Sequence, residues 1–185
     1  MELKIFINIL ILLLAALMVG SRAGVKRDAI APIQVVREAF FAGLVSVLTG
    51  CAAFIISTFA ILPALTQPTL LLLFLIALCM PAAWVFCIVW RKASPASYAD
   101  RLAPVFKTFL CGALLALSPW MAGDPLSGGY FAFVCVIFAA ASPLFSIILE
   151  RLRMSDFGDG LVFAIPIAVA VGLAVALSFV APMVL

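Results

Sequence analysis

The stretch RKASPASYADRLAPVFKTFLC, residues 91–111, is the longest polar interruption in an otherwise apolar sequence. It begins with the cation pair Arg91 and Lys92, where one long apolar run ends, and it enters the next apolar run at Cys111. Three apolar runs precede this stretch and three follow it. The division predicts a membrane protein built from three helices plus three.

The composition indicates lipid as the solvent of this chain. Of its 185 residues, 68% are hydrophobic and 10% are charged, with a mean hydropathy of +1.37. A soluble domain is about half apolar and about a quarter charged, so no soluble core could bury this sequence. Since a membrane-spanning helix takes about 20 residues, the length allows roughly six spans and leaves no room for a soluble domain.

We therefore expect an all-α integral membrane protein that forms a single domain over residues 1–185. The six predicted spans cover about residues 4–20, 39–62, 69–90, 104–121, 130–149 and 161–184.

The cations lie almost entirely on one side of these spans. The loops after spans one, three and five, with the first turn of span four, hold ten of the eleven Lys and Arg residues, and the loops after spans two and four hold none. Cationic loops stay in the cytoplasm, so both termini are predicted to lie outside. With three spans per half, the halves enter the membrane from opposite sides, which is the condition for an inverted-topology repeat. Cations gathered at span ends indicate topology rather than nucleic-acid binding.

No local motif in the sequence predicts catalysis by this chain alone. There is no histidine, and no acidic residue lies inside a predicted span. The five cysteines lie in or beside apolar runs and form no CxxC pair, so most are expected to be small buried hydrophobic side chains. A nucleotide or flavin site of its own is not expected.

Two stretches carry a resemblance to a known family. Residues 91–117, RKASPASYADRLAPVFKTFLCGALLAL, resemble the central loop and fourth helix of the A/E-type membrane subunits of the Rnf and Nqr electron-transport complexes. Residues 148–160, ILERLRMSDFGDG, with the Gly172-containing last helix, resemble that family's fifth loop and sixth helix. Chain length, six spans and outside termini agree with the family.

The resemblance implies a place in a bacterial cytoplasmic membrane, inside an ion-translocating oxidoreductase complex. The partners it implies are a homologous membrane subunit of opposite topology and flavin and iron–sulfur subunits. It also implies a [2Fe-2S] cluster between the two homologous subunits, to which each chain gives two cysteine thiolates. Cys111 falls near the second cysteine position of the family, whereas Gly20 or Ser21 occupies the first.

Two other functions remain open. A paralogue of the family could serve as a scaffold without redox chemistry. Alternatively, a small permease could rock its two halves about a midplane site, with helix breaks at Pro81, Pro143 and Pro166. Neighbouring genes for flavoproteins and ferredoxin-like proteins would favour the redox complex.

Overall fold

The computed structural model describes residues 3–21, 32–61, 73, 77–85, 88, 102–123, 127–155 and 159–183, and in these ranges it contains helices and no strands. The helices are α1 (Leu3–Gly20), α2 (Pro32–Ile56), α3 (77–85), α4 (Leu102–Ala122), α5 (Gly128–Met154) and α6 (Asp159–Val180). A π-helical turn, Ser57–Ile61, follows α2, and a 3-10 turn, Ala181–Met183, follows α6.

Four of these helices are long and apolar enough to cross a membrane: α1, α2, α5 and α6. The apolar part of α4, Phe106–Ala122, is shorter. The expectation of an α-helical membrane protein is confirmed in this coarse form. Half of the predicted third span, residues 69–90, lies outside the described residues.

Two helices extend beyond the spans predicted from the sequence. Helix α2 begins at Pro32, although the predicted span begins at residue 39, because proline fits the first position of a helix, where no backbone N–H is needed. Helix α5 continues to Met154, past the predicted end at residue 149. As a result Glu38 and Glu150 lie inside helices, and both are buried. Glu150 forms an ion pair with Arg153, one turn later, at 3.3 Å.

Helix α1 lies at the centre of the bundle. Its buried residues, from Ile5 to Gly20, cover more than half of its circumference, and the remaining, exposed face is also apolar, with Leu3, Ile7 and Leu14. A helix that is apolar all round is suited to a position among other helices. Accordingly α1 contacts α2, α4, α5 and α6.

Small residues allow α2 and α4 to approach closely. Gly112 of α4 faces Thr49 of α2, and Gly50 of α2 faces Leu115 of α4. In lipid, helices are held together by van der Waals packing at such close approaches, because burial of apolar surface from water does not drive their association. The helix α3 joins this seam through Cys79, which lies in a cluster of small side chains with alanines of α2 and α4.

Helices α2 and α5 run antiparallel along a second seam. At the middle of α2, Gly43 faces the Ser142 side chain of α5, which a Cβ at residue 43 would overlap. Near its end, the Phe54 ring stacks on Phe131 of α5 with centroids 4.2 Å apart and planes 11° apart. As the chain advances along α2, its partners on α5 therefore move back toward the start of that helix.

Replacement of Gly112 by alanine is expected to lower the free energy of unfolding by about 1–3 kcal/mol through overpacking. The new Cβ would lie 2.7 Å from the Thr49 methyl carbon, 2.8 Å from its Cβ and 3.2 Å from the Ser46 carbonyl oxygen. Denaturant titration in mixed micelles measures the change.

Gly172→Ala is the matched control, because no atom lies within 4 Å of the added Cβ. Alanine favours a helix over glycine by up to about 1 kcal/mol, so this variant is expected to be neutral or slightly more stable. Equal destabilisation by the two variants would contradict the close α2–α4 seam.

Candidate functional site

Cys111, the candidate cluster ligand, lies in the seam between α1 and α4. It is fully buried, and its thiol donates a hydrogen bond to the Ala15 carbonyl oxygen of α1 at 3.8 Å. Its neighbour Gly112 packs on α2, which fixes the rotation of α4 and turns Cys111 toward α1.

Gly20, which the resemblance aligns with a cysteine position, is buried against α5. A Cβ added there would lie 2.8 Å from the Ser142 carbonyl oxygen and 3.0 Å from the Ser146 backbone nitrogen. Both are backbone atoms of a helix, so neither can turn aside as a flexible side chain would. Ser21, the alternative residue, is half-buried and donates its hydroxyl hydrogen to the Met18 carbonyl oxygen at 2.8 Å.

Lys107 joins the end of α1 to the start of α4. Its Nζ donates hydrogen bonds to the carbonyl oxygens of Met18 and Ser21, each at 3.3 Å. The last carbonyls of a helix lack partners within the helix and form its partially negative end, so the half-buried ammonium group of Lys107 is well placed there. Lys107, one turn before Cys111, thus satisfies the end of α1 and anchors α4 beside it.

Cys111 and the two alternative residues, Gly20 and Ser21, lie on or beside neighbouring helices, α4 and α1, but at different heights along the α1 axis. The thiol of Cys111 faces Ala15, and a helix rise of 1.5 Å per residue puts Ser21 roughly 9 Å further along α1. Gly20 has neither a ligand atom nor space for one. The residues present therefore do not supply the pair of thiolates that the resemblance implies for a [2Fe-2S] cluster. In the described part of the chain, no three or more of its Cys, Asp and Glu residues come together as metal ligands.

The structure also brings two cysteines together that the sequence did not predict as a pair. Cys51 on α2 and Cys135 on α5 are near neighbours across the seam between these helices, and neither is in a disulfide. No spacing in the sequence indicates this pair, because it depends on the register between two helices far apart in the chain. Cys79 and Cys135 are buried and Cys51 is half-buried, whereas Cys87 lies outside the described residues.

A polar cluster lies at the other end of α1, the end predicted to be outside. The Asn8 amide donates to the Ser118 carbonyl oxygen at 2.8 Å and to the Tyr130 hydroxyl at 2.9 Å. These three residues are almost fully buried and lie on α1, α4 and α5. Such hydrogen bonds hold membrane helices together, so Asn8 fixes the positions of three helices.

An apolar groove of about 360 Å³ lies apart from all of these residues, between the start of α2 and the end of α5. It is lined by Ile33, Val36, Ile147, Glu150, Arg151 and Met154. Neither Cys111 nor the Cys51–Cys135 pair borders it, so it belongs to neither cysteine site.

Introduction of the missing thiol at Gly20 is expected to destabilise the bundle. Gly20→Cys forces a Cβ against the α5 backbone and should lower the free energy of unfolding by about 1–3 kcal/mol. Ser21→Cys, at a half-buried bend, should change it by less than about 0.5 kcal/mol.

Unfolding in mixed micelles compares the two variants with the parent chain. A Gly20→Cys variant as stable as Ser21→Cys would show that α5 leaves room for a ligand at residue 20.

The chain was also compared with known proteins. No family model, curated protein or solved structure matches it. Its function is therefore inferred from its own residues and from the resemblance carried by residues 91–117 and 148–160.

Proposed function

We propose that this chain is a membrane subunit of an ion-translocating electron-transport complex of the Rnf/Nqr type, in the place of the A/E-type subunit. It crosses the bacterial cytoplasmic membrane six times as a 3+3 inverted repeat, with both termini outside. It works beside a homologous subunit of opposite topology and with flavin and iron–sulfur subunits, and it carries no catalysis alone.

The resemblance of residues 91–117 and 148–160 supports the assignment to the Rnf/Nqr type, and the pattern of helix contacts supports the inverted repeat. In an inverted repeat, each helix of the first half corresponds to one of the second half: α1 to α4, α2 to α5 and α3 to α6. Under this correspondence the contact of α1 with α5 becomes that of α4 with α2, and both are among the most extensive in the bundle. The contact of α1 with α6 becomes that of α4 with α3, where Cys79 packs on Ala113 and Ala116. An inverted repeat requires this correspondence between halves.

The resemblance assigns the family's two cysteine positions to α1 and α4. These two helices correspond to each other in the proposed repeat. Helices α1 and α4 are in contact, with Lys107 bonded to the end of α1, so the two helices that would carry these positions lie side by side, although Gly20 supplies no ligand atom. Cys111 is the residue of this chain that would take part in such a site.

A scaffold subunit without redox chemistry is the second candidate, and the packing of Gly20 favours it. The space that a ligand side chain would need at residue 20 is filled by the α5 backbone at Ser142 and Ser146. A chain specialised for packing at this point could hold the complex together while its partners transfer the electrons.

Purification of the tagged chain from native membranes in a mild detergent tests the proposal. We expect the chain to copurify with a homologous membrane protein and with flavin-containing subunits. A homogeneous monomer without flavin would contradict membership of such a complex. Within an intact complex, Cys111→Ser separates the two roles: electron transfer falls if Cys111 is a ligand and is unchanged if the chain is a scaffold.

The orientation is tested with single cysteines at exposed positions, in a chain whose native cysteines are replaced by alanine. Gly128 and Met183 lie at the end predicted to be outside, and Met154 lies at the opposite end. A membrane-impermeant maleimide is expected to label residues 128 and 183 in intact cells, and residue 154 only after permeabilisation. The reverse pattern would contradict the assignment of both termini to the outside.

A further inference from the structure

The outer half of the seam between α2 and α5 brings two cysteines to one point. Phe54 and Phe131 stack across this seam, and Gly43 faces Ser142 further along it. Cys51 lies three residues before Phe54, and Cys135 lies four residues after Phe131. Residues three or four apart share one face of a helix, so in an antiparallel pair both cysteines lie one turn from the stacked rings, on facing sides. Both cysteines accordingly belong to one apolar cluster, in which they are near neighbours.

The surroundings of the pair restrict what can reach it. Cys135 is buried, with 7% of its surface exposed, and Cys51 is half-buried at the edge of the same apolar cluster. The Phe54–Phe131 stack lies one turn nearer the ends of the helices that are predicted to face outside. A reagent that approaches Cys51 must therefore come through apolar surroundings, which favours a compound that dissolves in the membrane over a hydrophilic one.

We propose that Cys51 and Cys135 are a redox-active dithiol that is oxidised to a disulfide by a lipid-soluble quinone. This site is separate from Cys111, and the proposal does not depend on membership of an electron-transport complex.

The reaction is a two-electron, two-proton transfer. Both S–H bonds break, one S–S bond forms between the two sulfur atoms, and two electrons and two protons pass to the quinone, whose carbonyl oxygens become the hydroxyl groups of a quinol. The sulfur atoms must approach to about 2.05 Å, which a change of side-chain rotamer and a small approach of α2 to α5 can provide. The product ties α2 covalently to α5.

The test uses the full chain in membranes and a fully substituted benzoquinone, to which thiols cannot add. After incubation, free thiols are alkylated and counted by mass spectrometry, and disulfide-linked peptides are identified. We expect the number of alkylatable thiols to fall by two, one quinol to form per chain, and a peptide containing Cys51 to be linked to one containing Cys135.

Two variants set the comparison. Cys51→Ser should lose no thiol to the quinone, whereas Cys79→Ser should lose two, as the parent does, because Cys79 is a buried thiol in a different cluster. Peptide mapping of the parent chain decides the result even if a variant fails to fold.

Three outcomes would overturn the proposal. Retention of free thiols at Cys51 and Cys135 after quinone treatment would exclude the reaction. A disulfide joining any other pair would exclude the assignment. Oxidation by diamide, a water-soluble oxidant, without oxidation by the quinone would exclude a lipid-soluble oxidant as the partner of this site.

Discussion

Close approach of helix backbones at small residues is the constraint on which this bundle depends. A helix in lipid gains little from leaving apolar surroundings for another apolar surface, so its association needs close van der Waals contact. The chain provides this contact at three seams: Gly112 against Thr49, Gly43 against Ser142, and Gly20 against the backbone at Ser142. One turn of α5, around Ser142, is thereby packed against both α1 and α2.

This packing also determines the chemistry available at the end of α1. A residue with a side chain at position 20 could present a ligand atom. Its side chain would, however, push α5 away from α1, because the two helices approach this closely only where residue 20 is glycine. The end of α1 is instead completed by Lys107, which donates to the carbonyl oxygens of Met18 and Ser21. A cation that caps a helix end is a structural interaction, and it holds α4 in place whether or not Cys111 has a further role.

The sequence predicted those features that depend on local composition. The apolar run of span one matches α1 within a residue or two, since nothing in Leu3–Gly20 competes with the helix. The sequence indicated an extended or turned segment at Pro32, but Pro32 is the first residue of α2, because proline suits a turn and the first position of a helix equally well. The prediction that Cys111 belongs to a cluster site stays a prediction, although its place beside α1 could not have been read from α4 alone.

The two cysteine environments show why the remaining features could not be predicted. Cys111, Cys51 and Cys135 are equivalent in sequence terms, since each is a thiol in an apolar run. What distinguishes them is the partner across the seam: a backbone carbonyl oxygen for Cys111, and another thiol for Cys51 and Cys135. Those partners follow from the rotation and register of whole helices, which the glycines of the seams determine by permitting close contact at one position and not the next. Chemistry in this bundle is therefore a consequence of helix packing: a change at Gly112 would rotate the adjacent Cys111 away from α1, and a change at Gly43 would shift Cys51, two turns further along α2, relative to Cys135.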